Sequence, residues 1–487
     1  MTTTSQPTRR RQSAKRSTTP GRTRNPRGRT TPPRRTLRSR IAQRQRQLTG
    51  DFWVAAISIV AWTNVVVPRV LQSVLAPKSK LFVGQDSIPF NGLAKASLTY
   101  STYLMFVVCI AAVVFEFWRA QAKRGVILVV AMAPWVYQVG RDAYEGIGFH
   151  KYTPFYAMIV IAVWVSRPTL RSLEPLGYLM GVTALASVAM GVLLPAKGIL
   201  RHADGAAVLA DKQIIPGGAL VGPFTDGNNL GQFLVIGMAT VFLIRNRLWR
   251  VSMLGATVLA LVWTASRSSL YTMLAMFAVW VIYAALRREV RAVFTVVSII
   301  TVALAVVALP LVTTAPTAFT MRGYIWHQSL IGWHADRLFG NGSNWYSRIG
   351  ASSNSLGGTV FHGHNELVHL LVTGGLFLAV ICGFLVVAGT IGAARLSRQG
   401  SPFGLVFMVG LLGACLLEVS FAFIDRTFLT PVMAVPLAVV LFGRVADADR
   451  IDEPARAARS LRFARRSRAA EQVAPVAPVA PVAPVAP

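Results

Sequence analysis

Four short polar stretches interrupt an otherwise apolar chain, and each carries side chains able to do chemistry. Residues 361–376 read FHGHNELVHLLVTGGL, with His362, His364 and His369 around the start of an apolar helix. An imidazole can be neutral at working pH, so His364 is placed to take a proton as a general base. The helix N-terminus beside it favours a nearby anion and disfavours an imidazolium. Three histidines also raise a metal reading. However, His-x-His with a distant third His and no nearby carboxylate pair is a poor zinc pattern, so no metal or other cofactor is expected.

The other three stretches offer cations and amides. In 321–330, MRGYIWHQSL, a four-residue spacing puts Arg322, Trp326 and Leu330 on one helix face. A helix lying in a membrane interface accounts for that face. The sharper use of Arg322 is a guanidinium fork that matches phosphate oxygens. In 263–270, WTASRSSL, Arg267 stands between two apolar runs among hydroxyl residues. In 222–234, GPFTDGNNLGQFL, the glycines and Asp226 favour a turn, and Asn228 or Asn229 is expected to cap the helix that follows. A polar floor for a sugar is the functional alternative there.

Membrane helices must position these residues. The 487-residue chain is 53% hydrophobic and 14% charged, whereas a soluble protein carries about a quarter charged residues. Its net charge of +31 is uneven: residues 1–50 hold many arginines and no acid, and 456–468 form a second basic run. Flanking a membrane domain, such runs are read as cytoplasmic tails that touch anionic lipid headgroups, not as nucleic-acid sites. Cys109, Cys382 and Cys415 lie in apolar segments without ligand spacing and read as buried small hydrophobes. The first apolar run begins at Phe52, behind a long basic region, and is expected to stay as a membrane helix.

Apolar runs suited to spanning lie near 52–71, 96–118, 125–140, 153–166, 173–194, 227–244, 250–266, 269–286, 292–312, 365–388, 402–424 and 428–444. Basic clusters in 119–124, 167–171, 245–250, 287–291 and 395–398 fall on alternate connections, the side shared by both termini. The expectation is an all-α polytopic membrane protein of about 12 transmembrane helices. Both termini are cytoplasmic, and a large extracytoplasmic loop, 313–364, precedes the third-last helix. Arg267 then lies on the outward side, against the positive-inside bias, which favours a functional role. The domains expected are a basic disordered tail (1–50), a transmembrane catalytic domain (51–445), and a tail (446–487) with a basic run and VAP repeats. With Pro at every third position, 473–487 reads as a polyproline-II segment. The 313–364 loop looks too rich in glycine and serine for a packed subdomain and is expected to act as a lid.

Taken in order, these stretches resemble the O-antigen ligase / O-antigen polymerase superfamily. The resemblance rests on Gly222-Pro-Phe224…Asn228-Asn-Leu230, Ser266-Arg267-Ser268, Arg322 with Trp326 and Leu338-Phe339-Gly340-Asn-Gly342, and His364-Asn365 followed by Gly375. It covers roughly residues 215–390. Two positions depart from the family pattern: Leu378 replaces a glycine, and Gly227 replaces a proline. The resemblance implies an enzyme of the cytoplasmic (inner) membrane that moves a glycan from undecaprenyl diphosphate to an acceptor hydroxyl on the extracytoplasmic side. The acceptor would be a lipid, glycan or protein, and neither metal nor nucleotide sugar would be required. Under it, Arg322 and Arg267 hold the diphosphate and His364 deprotonates the acceptor, with inversion at the anomeric carbon. Asn228, Asn365 and Trp326 are the substrate-binding candidates. A polymerase would differ only in its acceptor. A 12-helix secondary transporter would show related halves and midplane polar sites, and neither is evident here. A non-catalytic scaffold that recruits partners through its tails is the third reading.

Overall fold

The structure, a computed structural model, describes residues 37–75, 90–118, 125–200, 213–351, 362–424 and 427–446. Residues 1–36, the 456–468 basic run and the VAP repeats lie outside the described residues, as do residues 352–361 of the expected lid. Fifteen α-helices follow in order: α1 (Leu37–Leu75), α2 (Gly92–Phe117), α3 (Gly125–Tyr144), α4 (Phe155–Ser166), α5 (Glu174–Leu193), one-turn α6 (Pro195–Gly198), α7 (Gly227–Val241), α8 (Arg247–Trp263), α9 (Arg267–Ala285), α10 (Arg288–Val312), α11 (Ala318–Trp333), α12 (Trp345–Ala351), α13 (Glu366–Arg398), α14 (Phe403–Cys415) and α15 (Thr430–Phe442). The described β structure is small: β1 (Ile199–Leu200) pairs antiparallel with β2 (Ala219–Leu220), and one bridge joins Thr169 to Arg444. Helix α1 begins at Leu37, inside the segment expected to be a disordered tail.

A helix occupies each of the twelve expected apolar segments, but among the described residues six are long and apolar enough to cross a membrane alone. These are Leu48–Leu75, Gly92–Phe117, Leu170–Leu193, Arg267–Ala285, Arg288–Val312 and Glu366–Arg398. The shortfall has a physical reason. Helix α14 has 13 residues, about 20 Å at 1.5 Å per residue, against a hydrocarbon core of about 30 Å. It is buried along its whole length, as is α15, and nearly all of α7 is too. These inner helices meet protein instead of lipid, so their ends can stop short and leave room for irregular polar backbone.

Helix α13 is the axis of the fold and packs on α3, α10, α11, α14 and α15. It is broken at Gly375, where φ is +66° and ψ is −167°, a conformation open essentially to glycine alone. In an apolar setting, the backbone groups freed by such a break need new partners. The Leu338–Gly342 turn supplies them. Asn341 and Gly342 donate to the carbonyls of Val372 and Thr373 (2.7 and 3.0 Å), while the N–H groups of Leu376 and Phe377 reach the carbonyls of Arg337 and Leu338 (2.9 and 3.2 Å). Tyr137 Oη also donates to the Gly374 carbonyl at 2.8 Å. The approach is close: a Cβ on Gly375 would lie 2.2 Å from Leu338 O, and one on Gly340 would lie 2.5 Å from the Gly374 nitrogen.

That turn is also tied to α3. Arg141 donates to the carbonyls of Gly340 (2.6 Å) and Phe339 (3.2 Å) and pairs with Glu145 and Asp336. Asp142 accepts from Ser343 through both its N–H and its hydroxyl. The described part of the 313–364 loop is therefore packed, contrary to the expectation from its composition. Trp326, Trp345 and Tyr346 form a small core with Val368 and Val372 of α13. Its aromatic residues outweigh its glycines and serines, because one buried aromatic ring covers a large apolar area.

Candidate active site

The polar cluster sits where α13 begins. Asn365 is the N-cap: its Oδ1 accepts the Val368 N–H at 3.1 Å. Its Nδ2 donates to the carbonyls of Val306 in α10 and Leu416 just beyond α14, each at 3.1 Å. The side chain is fully buried. Asn365 therefore fixes the junction that carries His364 and is buried away from any ligand. His364 itself has a left-handed backbone (φ 46°), uncommon outside glycine. Its carbonyl accepts the Trp326 indole N–H at 3.2 Å. Trp326 is 1% exposed, so it braces the histidine from beneath and presents no surface to a substrate.

Glu418 brings the cluster together. It is buried, 54 residues after His364 in the sequence, and it pairs with Arg322 of α11 through Oε1. Its Oε2 lies 3.4 Å from His364 Nδ1 and 3.7 Å from His362 Nε2. The two imidazole rings are tilted 43° to each other with centroids 4.1 Å apart. The expectation of no carboxylate pair near the histidines is thus corrected: beside Glu366, close in sequence, chain folding delivers Glu418, which sequence spacing could not show. A second carboxylate, Glu366, is also buried here. It accepts the N–H groups of Ser420 (2.7 Å) and Phe421 (3.2 Å), which holds the strand of chain carrying Glu418. Gln232 of α7 fastens the same strand by donating to Val419 O and Ser420 Oγ (2.7 and 2.8 Å).

The ligand atoms of His362, His364 and Glu418 all lie within 4.8 Å of one another, a spacing that could gather a divalent cation. Two features oppose it. Arg322 already sits on the same carboxylate. His362 Nδ1 also accepts the His364 backbone N–H at 3.2 Å, so a neutral ring carries its proton on Nε2, the atom that a metal would need. His369 stands apart from this trio and stacks on Tyr346 at 5.6 Å and 17°. Burial pushes the Tyr346 phenol up, with the hydrogen bond to Ser329 working in the opposite sense, so it stays neutral.

The remaining expected residues lie on neighbouring elements. Arg322 follows three residues with positive φ, Phe319, Thr320 and Met321, which turn the chain into the regular part of α11. Its Nε is buried without a hydrogen-bond partner. Arg267 is exposed at the first position of α9. That end of α9 packs on α7, where a Cβ on Gly231 would lie 2.7 Å from Ser269 Oγ. Asn228 is exposed at the second position of α7. Neither Asn228 nor Asn229 caps that helix: Asp226 does, accepting the Asn229 N–H at 2.9 Å. An aspartate in extended conformation is at least as good a cap as an asparagine, and the chain uses the earlier residue.

The architecture and the cluster define a polytopic membrane protein with a histidine–carboxylate–arginine site at one end of its helix bundle. Residues 252–383 of this polytopic membrane protein match the family model Wzy_C, O-Antigen ligase. The match runs from α8 into α13 and includes Arg267, Arg322, Trp326, His364 and Asn365. Asn228 and Glu418 fall outside it. Among curated proteins, none matches the chain.

Proposed function

We propose that this protein transfers a glycan from undecaprenyl diphosphate to an acceptor hydroxyl at the extracytoplasmic face of the cytoplasmic membrane. The domain match supports lipid-linked glycan transfer of the O-antigen ligase or polymerase type. The observation that carries the mechanism is the His364–Glu418–Arg322 cluster. With Nδ1 turned to Glu418, the His364 ring presents Nε2 as the atom with a free lone pair, and the carboxylate steadies the imidazolium formed when that atom takes a proton. His364 is 22% exposed on its side chain, which leaves it reachable by an acceptor.

The reaction needs little more. The acceptor oxygen attacks the anomeric carbon, its proton passes to His364, and the glycosidic C–O bond breaks with its electron pair leaving on the diphosphate. A diphosphate is a good leaving group and needs no carboxylic acid to protonate it. It does need positive charge, which Arg322 and the exposed Arg267 supply. Direct displacement inverts the anomeric centre, and no metal takes part. Asn228, exposed at the start of α7, is the remaining sugar-binding candidate. Asn365 and Trp326 act on His364 instead, as positioning residues.

The test is reconstitution of the purified chain in vesicles with an undecaprenyl-diphosphate-linked glycan and a hydroxyl acceptor. Release of undecaprenyl diphosphate with the glycan on the acceptor is the expected result. Stepwise lengthening of the lipid-linked glycan would identify a polymerase. Passage of solute without any transfer would refute both.

A further inference from the structure

At the end of the bundle opposite the active site lies a second feature that glycan transfer does not use. Helix α13 starts beside His364 and ends at Arg398, and the residues that follow, Gln399 to Ser401, line an open cavity of about 860 Å³. Arg171, Arg245, Arg247 and Arg250 converge on it, and its apolar wall includes Phe277 and Trp280 of α9. Two acids offset part of this charge: Glu174 pairs with Arg245 at 3.7 Å, and Asp51 interacts with Arg171. Among the described residues Arg247 and Arg250 form no ion pair, and Arg250 is half-buried at the cavity wall. The framework around them is fixed. Arg395 donates to the carbonyls of Val440, Leu441 and Gly443, and Gln399 accepts the Val445 N–H at 2.9 Å.

We propose that this cavity binds the phosphodiester headgroup of an anionic phospholipid, with its acyl chains lying along Phe277 and Trp280. Guanidinium groups match phosphate oxygens bidentately, and basic pockets between membrane helices on the side rich in basic loops suit anionic headgroups. The excess of arginine over acid selects the charge of the ligand. The aromatic wall selects an amphiphile over free phosphate, because Trp280 is 37% exposed where acyl chains would run. The chain's own basic runs would be repelled. The acidic residues Asp447, Asp449, Asp452 and Glu453 begin two positions past Val445, which lines the cavity, but that run offers little to cover an aromatic wall. This inference stands independently of the transfer reaction.

The experiment uses the full chain reconstituted in phosphatidylcholine discs with and without phosphatidylglycerol, with retained lipid measured by native mass spectrometry. An excess of phosphatidylglycerol over phosphatidylcholine is expected. The Arg247→Gln/Arg250→Gln double variant should weaken that retention by about 30-fold, from about fivefold per arginine near a headgroup surface. Arg247→Lys/Arg250→Lys should keep most of it, which separates charge from folding. Equal retention of the two lipids, or unchanged retention in the glutamine variant, overturns the proposal. Displacement by soluble glycerol phosphate alone also overturns it, as a free-phosphate site. So does anionic-lipid binding seen only after Asp447, Asp449, Asp452 and Glu453 are neutralised, which would assign the cavity to that run.

Discussion

Replacing Glu418→Gln changes the site by one charge and almost no volume. Glu418 Oε2 lies 3.4 Å from His364 Nδ1. Once His364 has taken the acceptor's proton, a full carboxylate charge at that distance, in surroundings of effective dielectric near 20, contributes about 5 kcal/mol. Two facts reduce it: Arg322 occupies the other carboxylate oxygen, and the imidazole is 22% exposed. Retaining half gives about 2–3 kcal/mol, a fall of about 30- to 150-fold in the chemical step. Folding is affected separately. Removing one partner of a buried pair costs about 3–5 kcal/mol when nothing replaces it, but the glutamine carbonyl still accepts a hydrogen bond from Arg322. The assay therefore needs two readings: thermal melting of the purified variant, and initial transfer rates against donor concentration. The expected pattern is a folded variant with a lower kcat and an unchanged or lower KM for donor, because the charge of Arg322 is no longer offset by a carboxylate. A folded variant with near-normal kcat would refute the reasoning that Glu418 stabilises the imidazolium.

Three further outcomes follow from the same geometry. Arg322→Ala is expected to lower transfer by about 10²- to 10³-fold, the scale of losing one charge-stabilising group. Arg322→Lys should restore part of it, as measured by kcat/KM for the lipid-linked donor. Gly375→Ala places a Cβ 2.2 Å from Leu338 O at a φ of +66°. It should cost at least the 1–3 kcal/mol of backbone strain typical of that region, read as a lower melting temperature and less folded protein. Transfer should survive EDTA. Dependence on added divalent cation would return His362, His364 and Glu418 to the role of metal ligands.

How much of this was legible in the sequence depends on range. The apolar segments were readable because a membrane helix satisfies its backbone within one continuous run, and helices stand at every expected segment. The histidine pair, Arg322 and Asn365 were visible as polar residues at helix boundaries. Glu418 was not. It follows α14 as a lone acid, and only the packing of α14 on α10 and α13 brings it to His364. The roles of Trp326 and Asn365 were likewise hidden, because a side chain that braces another residue looks in sequence like one that meets a ligand. The Leu338–Gly342 turn and Gly375 appeared as separate glycine motifs. Their shared purpose, one rejoining the backbone broken at the other, exists only in three dimensions. Composition misled for the described part of the 313–364 loop, where Trp326, Trp345 and Tyr346 build a core despite its glycines and serines.

The most direct test of the central claim is the transfer rate of His364→Ala in vesicles supplied with undecaprenyl-diphosphate-linked glycan and a hydroxyl acceptor. The variant should be made and folded normally, since His364 is partly exposed and Asn365 carries the cap. Its transfer should fall by about 10²- to 10⁴-fold, the usual contribution of a general base, while donor binding persists through Arg322. Near-normal transfer by a folded His364→Ala protein would contradict the account.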